Sequence, residues 1–238
     1  MPIVRRGFLA GALLLPAASA VQAQESWEDK HQRQLKEDWP WLGRYAADNQ
    51  SLHSSRRKVD IVFMGDSITE GWQSKRPAFF TPGRICRGIS GQTTPQMVLR
   101  MMADVIALKP RLIHIMAGTN DIAGNTGKMT FSQSCDNLRM MIELARAHGI
   151  KVLLASVPPA ASFPWRPGLE TVSRIRALNS WMASYAQRTA TWVDYTRVLA
   201  DGQGAMKPGL AYDGVHPTEA GYAAMEQVLI PILKAHKA

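Results

Sequence analysis

Four short segments carry the residue types that nucleophilic catalysis needs: Gly65-Asp66-Ser67, Gly88-Ile89-Ser90-Gly91, Gly118-Thr119-Asn120-Asp121 and Asp213-Gly214-Val215-His216-Pro217. Ester hydrolysis through a covalent acyl-enzyme requires a hydroxyl nucleophile, a base to take its proton, and a group that orients the base. Ser67 offers the hydroxyl and His216 the base. Asp213, three residues before the histidine, can fix its tautomer. The tetrahedral oxyanion also needs donors, which the backbone N–H groups of Ser67 and Gly91 and the side-chain amide of Asn120 can provide. Losing one such donor typically costs about 10²–10³ in turnover. A glycine at 91 keeps a side chain out of the backbone's approach to the oxyanion. Alone, Gly-Asp-Ser after a strand is an ordinary helix cap, and the Asp-to-His segment is an ordinary loop. The signal is their occurrence together, each in a loop leading from a sheet towards a helix.

The elements around these segments alternate in the manner of a parallel sheet. Val59–Met64, Leu112–Ala117, Lys151–Val157 and Thr191–Tyr195 read as buried strands, the first two ending at Gly65 and Gly118, and Arg84–Ile89 reads as a short edge strand. Helical patterns cover Gln96–Leu108, Ser132–His148 (with a Ser cap and Gly149 as the stop), Thr171–Gln187 and Ala220–Lys234. Alternating strands and helices imply right-handed crossovers and a doubly wound α/β/α sandwich. In such a sheet, ligands bind beyond the carboxyl ends of the strands. Three of the four segments fall just past such an end, and the fourth precedes the last helix.

Over about residues 59–222, these segments resemble the signature blocks of the SGNH hydrolases, the GDSL esterase/lipase family. Ser67, Gly91, Asn120 and His216 match the four residues that give the family its name, and Asp213 matches its triad acid. Ile68 stands where the GDSL name has Leu. The resemblance implies a three-layer α/β/α sandwich with a mostly parallel, flavodoxin-like five-stranded sheet. Gly88–Thr94 and Gly118–Asp121 look like the branch of platelet-activating-factor acetylhydrolase subunits and bacterial sugar O-acetylesterases. That branch implies short acyl groups, acetyl above all, and a small-molecule or carbohydrate ester as substrate. A lysophospholipase or thioesterase acting on longer acyl chains remains open, as does a carbohydrate-binding domain that has lost catalysis.

The rest of the chain bounds these readings. Residues 1–23 have a basic start (Arg5, Arg6), an apolar run from Phe8 to about Val21 and small residues before Gln24, the layout of a secretory signal peptide. Arg5-Arg6-Gly7-Phe8-Leu9 also resembles a twin-arginine signal, so the expectation is a periplasmic or secreted protein. The run is too short for a membrane span. Residues 24–57 form a polar, Trp-containing helical lead-in broken near Pro40, and residues 58–238 form the hydrolase domain. The formal charge is +9, or +7 without residues 1–23, but the cations are scattered with no dense basic run, which argues against nucleic-acid binding. There is no Gly-rich phosphate cradle, and no His, Cys or carboxylate set has ligand spacing, so no cofactor and no metal are expected. Cys86 and Cys135 read as buried free thiols, His114 as a hydrogen-bonded core histidine, and Asp66 and Asp121 as braces of the site loops. Phe163 and Trp165 lie in a Pro-rich loop that should overhang the site, where they either stack on a substrate or cap the core.

Overall fold

A computed structural model describes residues 26–237. The expected signal peptide falls on residues 1–23, outside the described residues. Five parallel strands, β1 (Ile61–Gly65), β2 (Arg84–Gly88), β3 (Leu112–Met116), β4 (Lys151–Ala155) and β5 (Thr191–Val193), form one sheet in the order β2-β1-β3-β4-β5. This is the doubly wound order of flavodoxin-like sheets, with the switch point between β1 and β3. In register, Gly65 of β1 sits beside Gly88 of β2 and Met116 of β3, so three motif loops leave the sheet at one level. β1 and β3 are buried at every position. That burial accounts for their apolar runs, interrupted only by His114 in β3.

The helices in chain order are α1 (Trp27–Glu37), α2 (Ala46–Ser54), α3 (Ser67–Lys75), α4 (Thr94–Asp104), α5 (Thr119–Ala123), α6 (Phe131–Ala147), α7 (Val172–Thr189), α8 (Thr196–Leu199) and α9 (Glu219–Ala235). α4, α6 and α7 pack against one another along one face of the sheet, and α3 packs with α9 on the other. Several expected boundaries shift, each for a local reason. α6 begins at Phe131 because Thr130 and Gln133 form a reciprocal capping box, while the Ser132 hydroxyl turns to Asp136 instead. α4 likewise starts at Thr94, behind a Thr93–Gln96 box with Pro95 in the first turn, and ends at Asp104 before a 3₁₀ turn over Ile106–Leu108. β5 stops at Val193 because Asp194 Oδ1 accepts from Thr196 N at 3.0 Å and starts α8. The lead-in breaks at 38–41 as expected, with Trp41 at φ 55° and a 3₁₀ turn at Leu42–Tyr45 before α2.

An aromatic cluster locks α3 onto the sheet. Trp72 is fully buried, stacks on Phe79 at 5.0 Å and on Tyr222 of α9 at 5.7 Å, and meets Phe63 of β1 edge-on. Such pairs add about 0.5–1.5 kcal/mol each beyond the area they bury. Tyr222 Oη donates to Ile68 O at 2.8 Å, and Glu226 of α9 accepts from Trp72 Nε1 at 3.1 Å and from Arg76 Nη2 at 2.9 Å. The start of α3 and the start of α9 are thereby fixed to each other. His114 lies in the core with Nε2 2.9 Å from Tyr195 Oη, and burial lowers its pKa to about 3, so its ring is neutral. Cys86 and Cys135 are buried and free.

Candidate active site

Ser67 is the first residue of α3, immediately past β1. Asp66 caps the helix, its Oδ1 accepting from Ile68 N at 3.0 Å. Gly65 has to be glycine here, since a Cβ would lie 2.0 Å from Thr69 Oγ1 and 2.8 Å from Met116 O. The tight turn it allows lifts the Ser67 hydroxyl to the sheet edge. The backbone N–H of a first helical residue has no acceptor within its own helix, and the helix dipole there favours negative charge. Asp66 is buried beside it. That burial pushes its pKa up to about 6, against the pull of the Ile68 N–H and of His216.

The last loop brings the base to the nucleophile. Ser67 Oγ lies 2.9 Å from His216 Nε2, and His216 Nδ1 lies 2.6 Å from Asp213 Oδ2. Asp213 Oδ1 accepts from the backbone N–H groups of Val215 and His216, at 3.0 and 2.7 Å. These bonds hold the Asp213 side chain in place before it meets the ring. Partial burial would raise its pKa, but the hydrogen bonds from His216 and Val215 win and hold it below the usual carboxylate value. An ionised carboxylate at Nδ1 keeps that nitrogen protonated and leaves Nε2 free to accept. Ser67, His216 and Asp213 are all half-buried, so the three-residue relay is open to a ligand.

Gly91 and Asn120 arrive on neighbouring loops. Gly91 sits at φ 77°, and a Cβ there would meet nothing nearer than His31 Cε1 at 3.9 Å. The left-handed backbone therefore calls for glycine, more than any shortage of room. Asn120 is buried at the start of α5. Its Nδ2 donates to Gln92 O at 3.0 Å and its Oδ1 accepts from Asn125 Nδ2 at 2.7 Å. Those two bonds orient the amide and leave one Nδ2–H unused. Asp121 braces this corner: it accepts from Thr94 N at 2.9 Å, from the Thr94 hydroxyl, and from Ser134 Oγ at 3.2 Å.

Sequence reasoning missed the residues that hold the Gly88–Gly91 loop. Glu70, one turn along α3 from Ser67, accepts through Oε2 from Ser90 N at 2.9 Å and from the Ser90 hydroxyl; its Oε1 accepts from Arg44 Nη2 at 2.9 Å. Tyr45 Oη donates to Gly88 O, Gln92 Nε2 to Pro40 O at 2.8 Å, and Gln96 Nε2 to Trp39 O at 2.7 Å. The lead-in thus grips the loop from outside instead of lying passively on the surface. A lone Glu in a helical turn gives no sign of such a role.

The two loop aromatics separate. Phe163 is fully buried and caps the core, so of its two readings a direct substrate contact is closed to it. Trp165 stacks on it at 5.2 Å and stays 37 % exposed, its ring 5.9 Å from that of His216 and its Nε1 donating to Asn125 Oδ1 at 3.1 Å. Tyr212, unremarked in the sequence beside Asp213, stacks over His216 at 5.6 Å and is 67 % exposed. Among the described residues no cluster of His, Cys, Asp and Glu could hold a metal ion, and no helix is long and apolar enough to cross a membrane.

Comparison with known proteins follows the same outline. A sequence model described as the GDSL-like Lipase/Acylhydrolase family matches residues 63–224. The chain is 32 % identical over 146 residues to the esterase TesA of Pseudomonas aeruginosa, covering 61 % of this chain and 67 % of that protein. It is 45 % identical over 75 residues to the uncharacterized lipoprotein YqeF of Bacillus subtilis, a match spanning 30 % of this chain and 31 % of the lipoprotein. Among solved structures, a GDSL-like lipase from Bacteroides thetaiotaomicron superposes with a TM-score of 0.79 at 41 % identity, covering 84 % of this chain and all of the other. An acetyl xylan esterase shares the fold at 18 % identity and a TM-score of 0.59, over 74 % of this chain and all of the other.

Proposed function

The chain belongs to the GDSL-like lipase/acylhydrolase family, which makes it a carboxylic ester hydrolase, and from that premise we propose that it removes short acyl groups through an acyl-enzyme on Ser67. The observation that carries the reading is the continuous relay Ser67 Oγ–His216–Asp213, at 2.9 and 2.6 Å.

His216 Nε2 takes the Ser67 proton as Oγ attacks the ester carbonyl. Asp213 stabilises the imidazolium that forms, without itself taking a proton. The carbonyl oxygen, now an oxyanion, receives the N–H groups of Ser67 and Gly91 and the unused Nδ2–H of Asn120. Collapse of the tetrahedral intermediate breaks the ester C–O bond, and the imidazolium gives its proton to the leaving alcohol. Water, deprotonated by the same imidazole, then attacks the acyl carbonyl. The acid leaves, and Ser67 regains its proton. Asp66 and Asp121 brace the loops and carry no proton in this scheme.

Acetyl is the acyl group the reading favours, on a carbohydrate. The exposed rings of Trp165 and Tyr212 beside His216 are surfaces on which a sugar ring can stack. Export follows from the signal-like layout of residues 1–23. A second reading, cleavage of longer acyl chains, draws on an apolar cavity of about 400 Å³ lined in part by Ile122, Met129, Phe131 and Leu178. A series of p-nitrophenyl esters from acetyl to palmitoyl decides between the two. Little hydrolysis beyond butyryl supports the short-acyl reading, and a maximum at eight carbons or more overturns it. Ser67→Ala should abolish p-nitrophenyl acetate hydrolysis with the fold intact.

A further inference from the structure

Beside Trp165 the chain forms a concavity about 720 Å³ in volume. Its walls come from the loop after α5 (Gly124, Gly127, Lys128), the Trp165–Leu169 segment and Arg174 of α7. Trp165 belongs to both spaces, lining this cavity while its ring lies 5.9 Å from His216. It is also tied to the proposed oxyanion donor, since its Nε1 donates to Asn125, which in turn donates to Asn120 Oδ1.

The charge of the cavity is one-sided. Lys128, Arg166 and Arg174 line it, and all three are exposed. Among the described residues none of the three has a carboxylate oxygen within the 4.0 Å of an ion pair. The one acid in the lining, Asp121, is buried and its carboxylate is taken up by Thr94 and Ser134. Glu170 turns its carboxylate to Ser173, whose hydrogen bonds do most to lower its pKa, and the neighbouring Arg174 lowers it further, so Glu170 offsets part of the Arg174 charge and none of Lys128 or Arg166. Arg166 is held in place by a 3.1 Å bond from Nη2 to Gly124 O, which leaves its other N–H groups to the cavity. A concave site lined by three cations, of which only Arg174 has a carboxylate beside it, attracts anions and favours a planar carboxylate that a guanidinium can grip with two bonds.

We propose that this cavity is a subsite for the carboxylate of an acidic glycan, so that the enzyme prefers O-acyl groups on sugars next to a uronate. The inference rests on the proposed esterase reading and names the substrate class of that same site. Trp165 is the link between the two places: it lines the cavity and its ring lies 5.9 Å from that of His216, so a sugar chain with its acylated unit at Ser67 would pass Trp165 to bring its neighbouring unit to the cations.

The test compares O-acetylated oligogalacturonate with O-acetylated xylo-oligosaccharide, using wild type, Lys128→Ala, Arg174→Ala and Arg174→Glu. Wild type should favour the acidic oligomer by about tenfold in kcat/KM at low salt, and the preference should shrink towards parity near 1 M NaCl, where the screening length falls to about 3 Å. Each variant should lower the acidic-to-neutral ratio severalfold, mainly through KM, with Arg174→Glu lowering it most and Tm confirming the fold. Equal rates on the two oligomers, or a ratio that no variant moves, overturns the proposal. So does a stronger preference for lysophosphatidylglycerol that the variants abolish, which would assign the cations to a lipid phosphate. Failure of the esterase reading itself would appear separately, as wild type that does not hydrolyse p-nitrophenyl acetate.

Discussion

Removing the Glu70 carboxylate should damage turnover while leaving the proposed triad untouched. Glu70 Oε2 accepts two hydrogen bonds from Ser90, from N at 2.9 Å and from the hydroxyl, and Gly91 is the next residue. Hydrogen bonds to a charged acceptor contribute about 1.5–3 kcal/mol each. With the Glu70 side chain 30 % exposed, water can replace part of that, so the lower end applies to each bond. The two bonds together bias the loop by about 3 kcal/mol, equivalent to about a hundredfold in population. A fully lost oxyanion donor costs about 10²–10³. Glu70→Ala should therefore lower kcat on p-nitrophenyl acetate by about 10- to 100-fold, with KM changed by less than about threefold, because the donor acts on the transition state. Glu70→Gln, which keeps one acceptor oxygen, should fall between. Arg44→Ala removes a partly exposed ion pair, worth about 0.2–1 kcal/mol, and the guanidinium's contacts over the Trp41 and Tyr45 rings, worth about 0.5–1 kcal/mol at exposed sites, and should cost less than Glu70→Ala, below about tenfold. Steady-state kinetics with Tm as a folding control reads all three. A Glu70→Ala enzyme with kcat within twofold of wild type would refute the reasoning.

Three further outcomes follow from the same geometry. Asn120→Ala should lower kcat by about 10²-fold with little change in KM, read on the same ester. Asp66 has a folded pKa of about 6 against an unfolded value of 3.8, so its burial costs stability above pH 6, and that cost disappears as pH falls below about 4. Asn caps a helix as well as Asp does, so the Tm of Asp66→Asn should gain on wild type between pH 4 and pH 7, by the equivalent of about 3 kcal/mol; parallel Tm–pH curves would contradict this. Because Cys86 and Cys135 are free and buried, a reducing agent should leave Tm unchanged; a drop of several degrees would indicate a disulfide.

Much of the fold was legible because burial writes itself into strands. A fully buried parallel strand is apolar except where a polar group finds a buried partner, as His114 does in Tyr195, and the runs ending at Gly65 and Gly118 locate β1 and β3 to within two residues. The candidate site was legible because Ser67, Gly91, Asn120, Asp213 and His216 each lie in a short segment, past a strand end or before the last helix, whose neighbouring residues mark it. The rest depended on tertiary placement. Phe163 and Trp165 sit two residues apart in one Pro-rich loop, and only the packing decides that the first turns inward and the second towards His216. Glu70 and Arg44 look like solvated helix charges until α3 and the lead-in are set on either side of Ser90. The α6 start shows local competition: Ser132 and Thr130 are both fair caps, and Gln133 settles the matter by answering Thr130.

Everything proposed for catalysis passes through Ser67 Oγ. The most direct test is the intact mass of the protein after a fluorophosphonate, followed by peptide mapping and compared with Ser67→Ala. One adduct per chain on Ser67, absent from the variant and accompanied by complete loss of p-nitrophenyl acetate hydrolysis, is the predicted result. Labelling at another residue, or a Ser67→Ala enzyme that still hydrolyses the ester, would contradict it.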